Sequence, residues 1–214
     1  MNDWQPTKLR DFFFHYDFAN PGHQRGVDLL QKHAAQVMGD DAEWVKVFRG
    51  ASGDTTYLYK AANIIAEFEG YRGQPYKCPA GVWTIGYGTT YYPDGTLVTP
   101  RDASISKQRA MELLENHIDN AIVPIISSEI PTWGVMNTNQ KAAIISFAYN
   151  LGSHFYGNPG FNTITNALSK KENWKNVPNA LMLYVNPGST FEAGLRRRRK
   201  AEGELWNGQG NFAR

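Results

Sequence analysis

Three polar side chains whose types could carry out catalysis lie close together in residues 69–90, which read EGYRGQPYKCPAGVWTIGYGTT. The carboxyl group of Glu69 is followed nine residues later by the thiol of Cys78 and six residues after that by the hydroxyl of Thr84. A carboxyl group can donate a proton to a leaving group, and a nearby thiol or hydroxyl can hold a water molecule. The segment is therefore a candidate site for acid-assisted hydrolysis.

The local sequence predicts a helix followed by a β-hairpin, and this junction would position the three side chains. The helical run AANIIAEFE ends at Gly70, and glycine often ends helices because it adopts the left-handed conformation without steric cost. A turn is indicated at residues 79–81, and the β-branched and aromatic residues of VWTIGYGTTYY favour a strand. Glu69 then lies where the helix meets the hairpin, so the junction would form one wall of a cleft.

The spacing of these residues resembles the catalytic signature of the phage-type lysozymes, glycoside hydrolase family 24: Glu, eight residues, Asp or Cys, five residues, Thr. The flanking EG and WTIGYG are similar as well, and the resemblance continues through residues 139–153 and 194–202. It covers roughly residue 60 to the C-terminus. The resemblance implies an α+β fold, mostly helical and lysozyme-like, with a small antiparallel β-hairpin lobe. It also implies a phage or prophage endolysin that hydrolyses the β-1,4 bond between N-acetylmuramic acid and N-acetylglucosamine.

The resemblance implies a role for each residue of the signature. Glu69 is the candidate general acid, and it must then hold a proton near neutral pH. Burial against aromatic walls would favour this, whereas an arginine from residues 196–199 would oppose it. Cys78 stands where many members of the family carry aspartate, and a thiol with a reference pKa of about 8.5 is mostly uncharged near neutral pH. We expect Cys78 and Thr84 to position the attacking water; inversion is the implied outcome, and retention through a thioglycoside is the alternative.

Four further residues are candidates for binding the sugar chain. Gly86 and Gly88 would either let the backbone approach a sugar closely or merely permit the twist of the strand. In the resembling family the end of the helix at residues 137–152 faces the cleft, so Tyr149 and Asn150 are candidate contacts. Tyr149 is equally compatible with a place in the core, while the amide of Asn150 can pair with hydroxyl and N-acetyl groups.

The composition indicates a globular protein that needs no metal or cofactor. The chain has 214 residues, of which 42% are hydrophobic and 13% aromatic. A single cysteine rules out an internal disulfide and a cysteine-rich metal site, and we expect no cofactor.

The charge of the chain fits an anionic polymer as its partner. Residues 59–214 contain 16 Lys/Arg against 12 Asp/Glu, whereas residues 1–58 contain 6 against 8. A mildly basic catalytic part favours an anionic polymer, and bacterial peptidoglycan is the predicted partner. Nucleic acid is also anionic, but no aromatic or motif framework accompanies the basic run 196–200, so nucleic-acid binding is not expected.

The sequence predicts no stable membrane insertion. It contains no run of about 18 apolar residues, and its first residues carry acids and lack the apolar stretch of a secretory signal. We expect a monomer, and the lack of a secretory signal indicates that it stays in the host cytoplasm until it is released to the cell wall. In the resembling phage systems a separate membrane pore protein releases the enzyme, and association with the virion is the alternative.

We divide the chain into a small helical N-terminal region, residues 1–57, and a lysozyme-like catalytic domain, residues 58–214. In the first region, GVDLLQKHAAQVM places apolar residues at helical spacing, and GASGD at residues 50–54 is typical of a linker. The region is either a helical domain that packs against the enzyme or a wall-binding or partner-binding module.

A third short strand and five helices are predicted downstream of the hairpin, at residues 96–98, from 104 or 106 to about 123, and at 137–152, 162–170, 173–185 and 191–206. Pro124 would interrupt or end the first of these helices. Asn137 and Gln140 resemble a capping box at the start of the second. Most of the cations at residues 196–200 must be solvated, but one or two arginines could reach the cleft and pair with Glu69.

Two functions other than a muramidase stay open from the sequence. A Cys78-dependent amidase or peptidase would need a base such as His117 or His154 within hydrogen-bond reach, although no local Cys/His signature supports it. A non-catalytic wall-binding protein of the same fold would bind murein and release nothing. A related glycan hydrolase, such as a chitinase, would use much of the same cleft.

Overall fold

The structure, a computed structural model, describes residues 56–213. In chain order the α-helices and β-strands are α1 (Thr56–Glu69), β1 (Arg72–Lys77), β2 (Trp83–Gly86), α2 (Lys107–His117), α3 (Val123–Glu129), α4 (Thr138–Leu151), α5 (Asn162–Ser169), α6 (Val177–Leu181) and α7 (Glu192–Trp206). A π-helical segment, Ile118–Ile122, joins α2 to α3, and 3₁₀ segments occur at Trp133–Val135, Lys171–Asn176 and Asn211–Ala213. The architecture is α+β, mostly helical with a small antiparallel hairpin, as the sequence predicts.

Helix α4 lies at the centre of the helical lobe. Its residues 142–148 are buried, and it packs against both α1 and α7. The predicted capping box is confirmed: the backbone N–H of Gln140 donates to the side chain of Asn137, and the backbone N–H of Asn137 donates to the side chain of Gln140. The cap satisfies two N–H groups that have no partner within the helix, and it fixes the start of the element whose other end carries Tyr149 and Asn150.

The hairpin is shorter than the sequence predicts. β1 and β2 pair antiparallel, with Tyr76 opposite Thr84. β2 ends at Gly86, whose φ of 68° turns the chain away from the extended conformation. Backbone hydrogen bonds between Ile85 and Thr89 then close a tight turn, so the aromatic residues that follow do not continue the strand.

The predicted third strand at residues 96–98 is wrong. In its place an isolated bridge joins Tyr91 to Leu97. The carboxylate of Asp94 accepts hydrogen bonds from the backbone N–H and the hydroxyl of Thr96, and these bonds fix a turn. Val98 is buried but Leu97 is 70% exposed, and the turn leaves an isolated bridge in place of a ladder of paired residues.

Two helix predictions change at prolines. The first downstream helix does not end at Pro124, because the π-helical segment leads into α3. Pro124 lies in the first turn of α3, where a backbone N–H would have no partner within the helix, so the N–H that proline lacks is not missed. The predicted continuous helix at residues 173–185 is wrong. A 3₁₀ segment and the short helix α6 replace it, because Pro178 cannot donate the hydrogen bond that a continuous helix requires at that position.

Helix α1 begins at Thr56, two residues before the predicted start of the catalytic domain. Residues 1–55 of the predicted N-terminal region lie outside the described residues, so the boundary and the role of this region stay predictions. Within residues 56–213, none of the helices has the length and apolarity needed to cross a membrane.

Candidate active site

Glu69 is the last residue of α1, and Gly70, with a φ of 73°, turns the chain from there toward the hairpin. The Glu69 side chain is 30% exposed, and its Oε1 accepts a hydrogen bond from Nη1 of Arg198 at 2.6 Å. The side chain of Arg198, on α7, is only 4% exposed. The buried guanidinium therefore fixes one carboxylate oxygen, while the exposed part of Glu69 stays accessible to a ligand.

The structure identifies which arginine of the basic run approaches Glu69. Arg198 and Arg199 are buried in the interface of α7 with the rest of the lobe, whereas the other three cations of residues 196–200 are exposed. Arg198 also donates from Nη2 to the backbone oxygen of Ser146 at 3.1 Å. Successive residues on a helix point about 100° apart, so a run of cations necessarily divides between the core and the solvent.

Cys78 and Thr84 are held by the turn between β1 and β2. The backbone N–H of Cys78 donates to the backbone oxygen of Val82 at 2.9 Å, and the Thr84 hydroxyl donates to the same oxygen at 3.1 Å. Hydrogen bonds lower the pKa of the Cys78 thiol, first from the backbone of Val82 and also from the hydroxyl of Thr84. These hydrogen bonds stabilise the thiolate of Cys78 relative to that of a free cysteine.

Tyr149 joins α4 to the hairpin lobe. Its hydroxyl donates to the backbone oxygen of Tyr87 at 2.7 Å. Burial raises the pKa of Tyr149, and the negative charge of Glu69 raises it further, so the hydroxyl stays a hydrogen-bond donor. Tyr149 thus has a structural contact and lies within electrostatic reach of Glu69, while its contact with a sugar stays a prediction.

The two glycines of TIGYG allow the hairpin lobe to approach the helices closely. A Cβ on Gly88, whose φ is 109°, would lie 2.5 Å from the hydroxyl oxygen of Tyr149. A Cβ on Gly86 would lie 3.0 Å from Cβ of Ala110 on α2. Both glycines therefore have a packing role, and their predicted contact with a sugar stays a prediction.

Asn150, at the end of α4, accepts a hydrogen bond at Oδ1 from Nη2 of Arg199 at 2.6 Å. Arg199 is fully buried and lies over the ring of Phe147 at 4.9 Å from its centroid. Burial lowers the pKa of Arg199 to about 10, so the guanidinium stays charged at neutral pH. Because the carbonyl oxygen of Asn150 is engaged, its NH₂ group is the part that can donate to a substrate.

Sequence reasoning missed Glu202, a fully buried carboxylate on α7. Its Oε1 accepts hydrogen bonds from Oγ of Ser146 at 2.7 Å and from Nε of Arg198 at 3.3 Å, and its Oε2 lies 3.1 Å from Nη1 of Arg199. A signal was present, because Glu202 follows the two arginines by four and three residues and these spacings share a helix face. The spacing alone did not reveal that this face is buried.

The two histidines considered as bases for Cys78 have other partners. Nδ1 of His117 lies 3.1 Å from the hydroxyl oxygen of Tyr91, and Nδ1 of His154 lies 2.7 Å from Oε1 of Glu129. Neither ring hydrogen-bonds to Cys78 in the part of the chain that the structure describes. This geometry offers no support for a cysteine amidase or peptidase.

A small pocket lies beside the site, lined by Gly88, Thr89, Thr90, Tyr91, Leu114, His117 and Tyr149. Its volume of about 30 Å³ has room for about one water molecule and not for a sugar ring. Among residues 56–213, no group of three or more His, Cys, Asp or Glu side chains is arranged to hold a metal ion.

Comparison with known proteins gives consistent matches. The sequence model described as phage lysozyme matches residues 66–202, a range that contains every residue of the site described above. The SAR-endolysin of Haemophilus phage HP1 (strain HP1c1) is 32% identical over 160 residues, which cover 70% of this chain and 80% of that protein.

Two solved structures share the fold. The endolysin from the Escherichia coli O157:H7 phage FAHEc1 is 26% identical, with a TM-score of 0.56 over 69% of this chain and 90% of that one. The active form of the endolysin Lyz of phage P1 is 27% identical, with a TM-score of 0.52 over 71% of this chain and 85% of that one.

Proposed function

The chain belongs to the phage lysozyme family, a family of glycosidase-type cell-wall hydrolases, and we propose that it is a muramidase. The proposed reaction is hydrolysis of the β-1,4 bond between N-acetylmuramic acid and N-acetylglucosamine in peptidoglycan. The observation that carries the proposal is the accessible carboxyl group of Glu69, fixed by Arg198 at the junction of α1 with the hairpin that holds Cys78 and Thr84.

Glu69 is the proposed general acid. Cleavage of a glycosidic bond requires a proton on the departing oxygen while the sugar ring develops positive charge. Arg198 engages Oε1 of Glu69, which leaves the other carboxyl oxygen to carry the proton toward the substrate. The partial exposure of Glu69 lets the glycan reach that oxygen.

Cys78 and Thr84 are the proposed pair that positions the attacking water. Hydrogen bonds lower the pKa of the Cys78 thiol, and its sulfur can accept a hydrogen bond from water. Attack of this water in a single displacement inverts the configuration at the sugar carbon, which is the outcome we propose.

The sugar chain is proposed to lie along Gly86 and Gly88 of the hairpin lobe and across the end of α4, where Tyr149 and Asn150 lie. The NH₂ group of Asn150 is suited to donate to an N-acetyl oxygen, because Arg199 holds the other end of the amide. A sugar ring can pack on the exposed part of Tyr149 while its hydroxyl stays bonded to Tyr87.

We also propose where the enzyme acts. The protein stays in the host cytoplasm as a monomer until it is released to the cell wall, and virion attachment through residues 1–57 is the alternative. That region is proposed to be either a small helical domain without a binding role or a wall-binding or partner-binding module.

The substitution Glu69→Gln tests the assignment. It removes the proton donor but keeps a side chain that can accept from Arg198, so we expect release of reducing sugar ends from purified peptidoglycan to fall by about a hundredfold or more. Glu67→Gln, on the exposed side of the same helix, is the matched control and should keep the wild-type rate. Wild-type release of reducing ends by Glu69→Gln would contradict the proposal, and release of new amines by the wild type would indicate an amidase or peptidase instead.

A further inference from the structure

Behind the cleft, four charged side chains and one amide form a continuous chain. Glu69 pairs with Arg198, Arg198 with Glu202, Glu202 with Arg199, and Arg199 with Asn150, at contact distances between 2.6 and 3.3 Å. Arg198, Arg199 and Glu202 are all buried. The signs alternate along the chain, so the four charges sum to zero.

Glu202 is the central member of this chain. It contacts both arginines, and Oγ of Ser146 donates to its Oε1. Burial raises the pKa of Glu202, and the two adjacent guanidinium groups oppose that rise. Because both guanidinium groups are buried here, the carboxylate of Glu202 is the anion that makes their burial tolerable.

Each arginine links Glu202 to one residue of the candidate site. Arg198 reaches the carboxyl group of Glu69 on α1, and Arg199 reaches the amide of Asn150 on α4. An arginine side chain has several rotatable bonds, and a contact at a second edge of its planar head group restricts them. Glu202 supplies such a contact for both arginines, through Nε of Arg198 and Nη1 of Arg199. Nη2 of Arg198 also donates to the backbone oxygen of Ser146.

We propose that Glu202 is a positioning residue for glycan cleavage: it orients Arg198 toward Glu69 and Arg199 toward Asn150, and it shares the charge of Arg198 with Glu69. The proposal rests on the proposed role of Glu69 as general acid. Glu202 does not touch the substrate, because it is fully buried on α7.

Glu69 and Glu202 attract the same guanidinium. Arg198 donates from Nη1 to Oε1 of Glu69 and from Nε to Oε1 of Glu202. The charge of Arg198 is therefore shared between the two carboxyl groups, and removal of the charge of Glu202 would change how Arg198 is held against Glu69.

The test is the variant Glu202→Gln, with Glu204→Gln as the matched control on the exposed side of α7. Reducing ends released from peptidoglycan fragments give kcat and KM, and circular dichroism gives the folded fraction. We expect Glu202→Gln to lower kcat by about tenfold or more, with a smaller change in KM, because misplacement of a catalytic group acts mainly on the chemical step. We expect Glu204→Gln to match the wild type.

Ser146→Ala is the milder variant, used in case Glu202→Gln does not fold. It removes the hydroxyl that donates to Glu202 but keeps every charge, so we expect a smaller fall in kcat with an unchanged KM. The proposal is overturned if the folded fraction of Glu202→Gln keeps the wild-type kcat, or, where that variant does not fold, if folded Ser146→Ala keeps the wild-type kcat. These outcomes differ from failure of the proposed function, which would appear as wild-type activity in Glu69→Gln whatever Glu202 does.

Discussion

At the scale of single residues, the proposed chemistry depends on two groups in different surroundings. Glu69 is held by a buried guanidinium, whereas Cys78 lies in a turn whose hydrogen bonds lower the pKa of its thiol. Different surroundings of this kind are how two ionisable groups come to act as acid and as water-activating group in one site. The sulfur of a neutral thiol carries only a partial negative charge, whereas a carboxylate at the same position carries a full one.

Substitution of Cys78 tests how much that partial charge contributes. Cys78→Asp should keep substantial activity, because a carboxylate also accepts a hydrogen bond from water. Cys78→Ala should lose about tenfold or more in kcat, since it removes the acceptor. Release of reducing ends from purified peptidoglycan is the measurement, and equal rates for wild type and both variants would remove any catalytic role of the thiol.

At the scale of elements, the site depends on how the hairpin lobe is attached to the helices. The attachment includes the hydrogen bond from Tyr149 on α4 to the backbone of Tyr87 and the close approach of Gly88 to the same hydroxyl. The hairpin carries Cys78 and Thr84, while α1 carries Glu69. A shift of the hairpin relative to α4 would therefore separate the proposed acid from the groups that position water.

Gly88→Ala tests this attachment. The new Cβ meets both an unfavourable φ of 109° and the Tyr149 hydroxyl, so we expect a loss of about 1–3 kcal/mol in the free energy of unfolding in urea and a lower rate per folded molecule. Gly95→Ala is the control, because Gly95 has a φ of 84° but no atom within 4 Å of its Cβ position. An equal loss of stability in both variants would show that the contact with Tyr149 contributes nothing.

At the scale of the whole molecule, every residue of the candidate site lies within the range that matches the phage lysozyme family. The excess of cations over anions also lies in this part of the chain, which favours attraction to an anionic wall polymer. The proposed wall-binding or partner-binding role of residues 1–57 is therefore separable from the chemistry by experiment.

A shortened chain that begins at Asp54 separates the two roles. We expect it to release reducing ends from soluble peptidoglycan fragments at close to the rate of the full chain, because α1 and the whole site are retained. Co-sedimentation with intact sacculi compares wall binding of the two proteins, and weaker binding by the shortened chain would support a wall-binding module. Loss of activity on soluble fragments by a shortened chain that still folds would contradict the separation of roles.

The sequence by itself determined the local features, because these depend on neighbours along the chain. It predicted the end of α1 at Glu69, the turn that carries Cys78 and the capping box of Asn137 and Gln140. It failed where a pattern favoured an element that the structure does not form. The turn fixed by Asp94 leaves an isolated bridge where the third strand was predicted, and Pro178 breaks the predicted helix at residues 173–185.

Only the tertiary structure decided which members of the basic run are buried and what they contact. Residues 196–200 are five cations in sequence, but Arg198 meets Glu69 across 129 positions of the chain and Arg199 meets Asn150 across 49. The position of Glu202 at the centre of this cluster is likewise seen only in the tertiary structure. Contacts between distant segments follow from the packing of α1, α4 and α7, which a local pattern of residue types does not encode.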